Sequence, residues 1–212
     1  MNPLSKRLFD VVFSALGLVA LCVPFLFIAL IIKATSKGPV FFRQQRVGRR
    51  GKLFTIVKFR TMYAGSERGG SVTAARDGRI TPLGGFLRAC KLDEFPQLWN
   101  VLIGRMSFVG PRPDVPGYAD RLQGTDRRIL ELRPGITGPA SLYFRNEEKL
   151  LASQKDPQEY NDAVIWPKKV ELNLAYLETW SFRRDMGYIL ITIVPWADRW
   201  VKLVERTQEL RS

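Results

Sequence analysis

The longest apolar run of the chain lies near its N-terminus. Residues 11–32, which read VVFSALGLVALCVPFLFIALII, hold no charged side chain over 22 positions. As an α-helix this run would be about 33 Å long, enough to reach across the hydrocarbon core of a bilayer. A buried core helix is a poor match for so long an apolar run, and no A-x-A-like cleavage site follows it. The pattern therefore predicts a helix that stays in a membrane.

Basic residues flank this run on both sides. Two precede it and two follow it closely, namely Lys6, Arg7, Lys33 and Lys37. Since basic flanks favour the cytoplasmic side of a membrane, both ends are expected there. Pro24 lies within the run, where proline removes a helical hydrogen bond and favours a kink. We therefore predict a re-entrant membrane helix over residues 1–36 and a cytosolic domain docked on the membrane surface over residues 37–212.

The next part of the chain alternates between strand, loop and helix signals. The stretch PVFFRQQRVGRRGKLFTIVKF predicts two short strands around a glycine-containing turn. Residues 63–79 are rich in Gly, Ser and Arg, which predicts a mobile loop. Thr81 and Pro82 are typical of a capped helix start. A second helix is expected to begin near Asp93 or Phe95 and to end at about Ile103, before the glycine at 104.

The remaining pattern predicts mostly helices. GRMSFVGPRPDVPG is expected to be an irregular loop, residues 118–132 a helix, and Asp156 the cap of another helix with Glu159 three positions on. The apolar run MGYILITIVPW is too short to span a bilayer, so it is either a helix at the membrane interface or an amphipathic helix packed on the core. The predicted fold is mostly α with a small β-hairpin (α+β), including interfacial amphipathic helices.

Composition narrows the chemistry. The chain has 33 Lys+Arg against 20 Asp+Glu, a formal charge of +13 and a sequence pI of 10.1. Such a balance favours anionic partners: nucleic acid, an anionic lipid surface or phosphorylated substrates. Histidine is absent, which excludes Ser-His-Asp and Cys-His nucleophiles and imidazole ligands for zinc. The two cysteines form no disulfide framework, and a reducing, cytosolic setting is favoured for the soluble part.

An adjacent pair of carboxylates stands out against this basic background. The stretch KLDEFPQLW places Asp93 and Glu94 at a predicted helix start, where on their own they would indicate only a cap and a solvent-facing acid. The flanking segments, however, supply cations suited to phosphate: Lys58, Arg60, Arg88 and Arg112. Carboxylates among such cations favour a divalent cation that bridges acid and phosphate, with Mg²⁺ as the candidate. A carboxylate can also attack phosphorus directly.

The motifs of the chain resemble those of the small monotopic phosphoglycosyl transferases, a bacterial sugar-transferase family. The resemblance extends over nearly the whole chain, through KRLFDVV, GPVFFRQQRVGRRGKLFTIVKFRTM, RITPLGGFLRACKLDEFPQLWNVLIGRMSFVGPRP and RPGITGPAS. It implies an enzyme of the cytoplasmic face of the bacterial inner membrane. Such an enzyme moves a sugar 1-phosphate from a UDP-sugar to polyprenol (undecaprenyl) phosphate and releases UMP, the first membrane step of glycan assembly.

The same resemblance implies roles for individual residues. Asp93 and Glu94 would be the catalytic pair, with Asp93 as the covalent nucleophile and both carboxylates near Mg²⁺. Glu94 would hold the metal or assist proton transfer, and the resemblance does not decide between the two. Lys58, Arg60, Arg88 and Arg112 are expected to bind substrate phosphates.

This chain departs from the family pattern in two places. Cys90 and Lys91 precede the acidic pair where relatives often carry small hydroxyl residues, which puts the sugar preference in doubt. Val23 precedes Pro24 where relatives often have serine, so the source of hydrogen bonds at a kink is not apparent.

Two other function classes fit part of the pattern. A non-enzymatic basic protein that binds nucleic acid or lipid headgroups would explain the charge but not the acidic pair. Nucleic acid is not expected as a partner, since recognition motifs such as the RRM signature are absent. A membrane-bound phosphatase with an aspartyl intermediate would share the nucleophile and release free phosphate. Whether the chain forms a homodimer is left open.

Overall fold

The computed structural model describes residues 4–66 and 78–194. Its first element is a single α-helix of 32 residues, α1 (Leu4–Thr35), which contains Pro24 without being divided by it. The helix is long and apolar enough to cross a membrane by length and composition. It begins earlier than the apolar run, because Lys6 and Asp10 in its polar first part are buried against the rest of the chain.

The predicted hairpin is confirmed. Strands β1 (Phe41–Val47) and β2 (Leu53–Phe59) pair antiparallel, with Phe41 opposite Phe59 and Val47 opposite Leu53. The turn between them holds a short 3-10 segment, Arg49–Gly51, in which Gly51 has a φ of 73°. A left-handed backbone of this kind suits glycine.

The helices around the acidic pair also follow the prediction. Helix α2 (Pro82–Ala89) begins where the Thr81 hydroxyl accepts a hydrogen bond from the Gly84 amide at 2.9 Å. A 3-10 helix, Leu92–Gln97, then leads into α3 (Leu98–Leu102), so the second predicted helix is present with its first part in 3-10 form. Gly104 follows with a φ of 79°, as expected of a helix stop.

Two predictions for the middle of the chain are wrong in part. The segment expected to be irregular contains a strand, β3 (Ser107–Val109), which pairs in parallel with β4 (Gly135–Thr137). Residues 118–132 form two short 3-10 helices, Ala119–Arg121 and Asp126–Glu131, instead of one α-helix. The β3 pairing joins remote segments that local patterns do not reveal. The helix is interrupted near Gly124, whose φ is 55°.

The last third is helical. It comprises α4 (Pro139–Tyr143), α5 (Glu147–Ala152), α6 (Pro157–Tyr160), a π-helical turn (Asn161–Ile165), α7 (Trp166–Glu178) and α8 (Phe182–Ile193). Asp156 caps α6 by accepting a hydrogen bond from the Glu159 amide at 2.9 Å, as predicted. Helix α8 packs on the core through Tyr188 and Ile191, and leaves Leu190 and Ile193 exposed.

Some predictions fall outside the described residues. Most of the loop expected over residues 63–79 lies in 67–77, and the end of the apolar run MGYILITIVPW lies in 195–212.

The core consists of clusters that join these elements. Phe54 and Ile56 of the hairpin pack against Val101 of α3 and against Met106. Ile32 of α1 packs with Phe59 and Leu87. A further cluster joins Val109 and Leu132 to Tyr176, Leu177 and Tyr188 in α7 and α8. The hairpin thus packs on α3 in one cluster and on α1 and α2 in another, and the 3-10 helix with the acidic pair lies beside β2.

Candidate active site

The acidic pair lies at a sharp change of chain direction. Lys91, between α2 and the 3-10 helix, adopts the left-handed conformation with a φ of 56°. A non-glycine residue in this region is strained by about 1–3 kcal/mol, and such strain concentrates at functional sites. The turn places Asp93 and Glu94 in the first turn of the 3-10 helix, packed against β2.

Glu94 is held by two cations from distant parts of the chain. Its Oε1 lies 2.8 Å from Lys58 Nζ on β2 and 2.5 Å from Arg112 Nη2, and Arg112 Nη1 lies 3.3 Å from Oε2. Burial by itself would raise the pKa of Glu94, but Arg112 and Lys58 hold that pKa well below its usual range. Burial lowers the pKa of Lys58, which Glu94 opposes. Glu94 is therefore an ionised carboxylate at neutral pH.

The surroundings of the Asp93 carboxylate differ from those of Glu94. It is 8 % exposed, and its Oδ1 is buried without a hydrogen-bond partner among the described residues. Burial raises the pKa of Asp93 and Glu94 adds to the effect, while Lys58, Arg88 and Lys91 oppose it. A carboxylate oxygen that is shielded from water and unpartnered is a stronger nucleophile than a solvated one, because it has no hydration shell to lose.

Arg112 is presented by a loop whose backbone is fixed at several points. The carbonyl of Pro111 accepts from the Gly135 amide at 2.7 Å, and the Gly110 amide donates to the Thr137 carbonyl at 2.9 Å. Gly110 lies so close to the next segment that an added Cβ would be 2.2 Å from the Arg133 carbonyl oxygen. The Arg112 side chain is nevertheless 43 % exposed, so its guanidinium can meet a ligand from solution while it contacts Glu94.

Asn100 is a site-positioning residue that the sequence analysis missed. Its side chain, in α3, is buried; its Oδ1 accepts from the Val57 amide at 3.1 Å and its Nδ2 donates to the Thr55 carbonyl at 2.8 Å. These bonds fix the edge of β2 next to Lys58. The available signal was a polar residue inside the otherwise apolar stretch LWNVL.

The structure brings together most of the predicted site residues. Lys58, Glu94 and Arg112 are in contact, and Arg88 is close enough to lower the pKa of Asp93. Arg60 has other partners: its guanidinium donates to the Ser36 carbonyl at 3.0 Å, to the Ser36 hydroxyl at 2.8 Å and to the Lys37 carbonyl. Arg60 thereby joins the end of α1 to β2, and it is 6 % exposed.

The donor set fits magnesium better than a metal that needs a full protein cage. Within residues 4–66 and 78–194 there is no group of three or more Asp, Glu, Cys or His side chains that could hold a metal ion. Mg²⁺ is usually bound by one or two carboxylates together with water and substrate phosphates. The unpartnered Oδ1 of Asp93 and the adjacent carboxylate of Glu94 meet that requirement.

Known proteins resemble this chain over most of its length. The family model described as "Bacterial sugar transferase" matches residues 1–199. The chain belongs to the bacterial sugar transferase family. Among the relatives of this family member is a sugar transferase of Bacillus subtilis, EpsL, which is 36 % identical over 89 % of this chain and 85 % of its own length.

Other relatives carry the name UDP-glucose:undecaprenyl-phosphate glucose-1-phosphate transferase. The protein of that name in Caulobacter vibrioides is 39 % identical over 90 % of this chain and 68 % of its own length. The one in Klebsiella pneumoniae is 38 % identical over 91 % of this chain. This family member spans only 40 % of the length of the Klebsiella relative.

Proposed function

We propose that this protein transfers a sugar 1-phosphate from a UDP-sugar to undecaprenyl phosphate and releases UMP. The observation that carries the proposal is the contrast within the acidic pair. The negative charge of Glu94 is balanced by ion pairs with Lys58 and Arg112, while Asp93 beside it has a buried, unpartnered oxygen. A nucleophilic carboxylate next to cations that can take phosphate oxygens is the arrangement that phosphoryl transfer requires.

In the first step, a carboxylate oxygen of Asp93 attacks the phosphorus atom that carries the sugar. The bond between that phosphorus and the bridging oxygen of the diphosphate breaks, and UMP leaves with the electron pair. The product on the enzyme is a phosphosugar joined to Asp93. Arg112 and Lys58 stabilise the developing negative charge by donating to phosphate oxygens, with Arg88 as a third cation near Asp93.

In the second step, a phosphate oxygen of undecaprenyl phosphate attacks the same phosphorus atom. The bond to Asp93 breaks and its electron pair returns to the carboxylate, which regenerates the enzyme. Asp93 and Glu94 would hold Mg²⁺, which when bound neutralises charge on the diphosphate. Glu94 has a second role, because it keeps Arg112 and Lys58 together before the donor arrives.

The direct test is UMP release by the purified protein with a panel of UDP-sugars, with and without undecaprenyl phosphate. Without acceptor we expect about one UMP per enzyme and a phosphosugar adduct on Asp93, detected by peptide mass spectrometry. With acceptor, UMP release should become continuous. Continuous release of free phosphate without acceptor would instead support a phosphatase, and an adduct on another residue would refute the role of Asp93.

We also propose that α1 enters the cytoplasmic leaflet without crossing the bilayer. Its N-terminal part contacts the globular domain, since Arg7 donates to the Val101 and Leu102 carbonyls at 2.7 Å and Asp10 accepts from the Phe108 amide at 3.1 Å. Its C-terminal part contacts the same domain through Ile32 and the residues that follow. A straight span would bring the domain surface between these contacts into hydrocarbon.

The outer side of α1 supports contact with lipid. Large apolar side chains are exposed along the whole helix: Leu8, Phe13, Leu16, Val19, Val23, Phe27 and Leu30. Such a long apolar face is matched by a membrane and not by water. Helix α1 therefore lies on the domain with one side and in lipid with the other.

Cysteine labelling in intact cells tests this topology. In a Cys22→Ala, Cys90→Ala background, Ser5→Cys should resist a membrane-impermeant thiol reagent and react after the cells are lysed. Ser5 is exposed in the protein, so a lack of reaction in intact cells reports the membrane and not burial. Labelling of Ser5→Cys from the periplasm would mean a full span.

A further inference from the structure

The stretch FPQLWNVLI, which directly follows the acidic pair, has its polar side chains inside and apolar side chains outside. Its two polar residues, Gln97 and Asn100, are buried. The side chains that it exposes are all large and apolar, namely Phe95, Trp99 and Ile103. A helix that faces water shows the opposite arrangement, with polar residues on its outer side. These three exposed side chains form an apolar ridge that suits an apolar occupant better than water.

The apolar ridge lies on a segment that packs along the membrane helix α1. Near the start of α1, Arg7 donates to the Leu102 carbonyl at 2.7 Å. Farther along α1, a Cβ added at Gly17 would lie 3.0 Å from Leu98 Cδ1. The two contacts show that α3 runs antiparallel to α1 and against it. The ridge is therefore next to the helix that is proposed to enter the membrane, where apolar chains are available.

One end of the ridge is at the proposed nucleophile. Phe95 comes two residues after Asp93, in the same 3-10 helix. With about 2.0 Å per residue in the 3-10 part and about 1.5 Å in the α-helical part, Ile103 lies roughly 17 Å from Asp93 along the axis. Such a path fits a molecule with a phosphate at one end and an apolar chain behind it. Of the two substrates of the proposed reaction, only the acceptor has an apolar chain.

We infer that the apolar ridge binds the phosphate-proximal part of the polyprenyl chain of the acceptor. The inference rests on the proposed function and adds a chain-binding surface to it. Contact with the ridge orients the acceptor so that its phosphate reaches the phosphosugar on Asp93. Trp99, 51 % exposed, has the largest ring of the ridge and offers the largest apolar contact area to the chain.

The test replaces ridge residues by glutamine and measures the two half-reactions separately. Trp99→Gln should lower kcat/KM for undecaprenyl phosphate by roughly ten- to a hundredfold, because the lost apolar contact is that of a large side chain. Ile103→Gln should lower it by a smaller factor. The UMP burst and the adduct on Asp93 without acceptor should be unchanged, since the nucleotide-sugar does not contact the ridge. With geranyl phosphate, whose short chain ends before Ile103, the losses should shrink.

Two further variants control for effects on folding. Trp99→Leu stays apolar and should keep most of the wild-type kcat/KM for undecaprenyl phosphate. Val164→Gln, in the π-helical turn, is the matched control for Ile103→Gln, because the two side chains are 46 % and 47 % exposed. It should leave the kinetics with both acceptors unchanged.

The outcomes distinguish the chain of the acceptor from other occupants of the ridge. Unchanged acceptor kinetics in both ridge glutamine variants, or equal losses with undecaprenyl and geranyl phosphate, overturn the inference while the donor burst leaves the proposed function standing. Weaker binding to phosphatidylglycerol vesicles with unchanged acceptor kinetics assigns the ridge to bulk lipid, and a changed oligomeric state with unchanged kinetics assigns it to a second copy. Either result overturns the inference. A wild type that forms no adduct and releases UMP from no UDP-sugar overturns the proposed function itself.

Discussion

The protein has two clusters in which a largely buried carboxylate meets cations, and the two are built differently. The first joins α1 to α8 through Lys6 and Asp185, both less than 10 % exposed. Both oxygens of Asp185 have donors: Tyr176 Oη at 2.6 Å on Oδ1, and Trp180 Nε1 at 3.1 Å together with Lys6 on Oδ2. No acceptor in this cluster is left for a ligand.

The second cluster, around the acidic pair, is satisfied only in part. Glu94 is paired with Lys58 and Arg112, but Asp93 keeps a buried oxygen without a partner, and Arg112 remains 43 % exposed. The difference distinguishes a charge that supports the fold from one that serves a substrate. Where the protein supplies every hydrogen bond the group is structural, and where one is missing a ligand can complete the set.

The largest expected effect is that of Asp93→Asn. We expect UMP release to fall by at least about 10⁴-fold, because the amide cannot form the acyl phosphate bond. Since burial raises the pKa of Asp93, the neutral amide should leave thermal stability unchanged or higher. UMP release and a melting curve on the same preparation check both parts. Residual activity with an adduct at the substituted position, or a lowered Tm, would contradict the distinction between a cluster that supports the fold and one that serves a substrate.

Disrupting the cluster of Lys6 and Asp185 should have the opposite effect, a large loss of stability with little loss of activity. Lys6→Met leaves the buried carboxylate of Asp185 without its charge partner, and we expect a loss of about 3–5 kcal/mol in the free energy of unfolding. Activity per folded molecule should change little, because Lys6 is not part of the acidic pair's surroundings. Denaturant titration in detergent measures the effect. The double variant Lys6→Met, Asp185→Leu is the control and should recover much of the stability.

A smaller effect on turnover is expected for Arg112→Lys. An ammonium cannot reproduce the planar two-point contact of the guanidinium with Glu94, or with a phosphate in its place. We expect kcat/KM to fall about ten- to a hundredfold with little change in Tm. Steady-state kinetics with both substrates varied will show which phosphate is affected. Near-normal kinetics would mean that Arg112 supports the fold and does not bind a substrate phosphate.

The smallest effect concerns the pH dependence of stability at Asp114. Its pKa is about 6 in the folded protein, above the ordinary value of 3.8, so the folded state binds the proton more tightly. The contribution of Asp114 to the free energy of unfolding should therefore fall as pH rises from about 4 to 6. Asp114→Asn should be more stable than wild type above pH 6, by about 1–3 kcal/mol, and equal to it below about pH 4. Melting curves across this range decide the sign.

If Asp114→Asn is instead less stable than the wild type above pH 6, the Asp114 carboxylate has a stabilising partner in the folded protein. The groups that face Asp114 are Lys169, Arg46, Arg112 and Glu147. Glu147→Gln provides the sharper control, since it removes the one nearby negative charge that raises the Asp114 pKa and should weaken the pH dependence.

The sequence alone determined the elements whose signals are local. The apolar run that became α1, the alternation and turn of the β-hairpin, and the caps at Thr81 and Asp156 depend on residues within a few positions of one another. The acidic pair and Arg112 were also found in this way, because adjacent acids in a basic chain and an arginine between prolines are visible without a fold.

The tertiary structure alone decided which charges meet and which stay apart. It paired β3 with β4 across 25 intervening residues, joined Arg60 to the segment that follows α1, and placed Asn100 on the edge of β2. The physical reason is that electrostatic and hydrogen-bonding roles depend on distances of a few ångströms through space. Those distances join residues that lie far apart in the sequence, where periodicity and capping patterns carry no information.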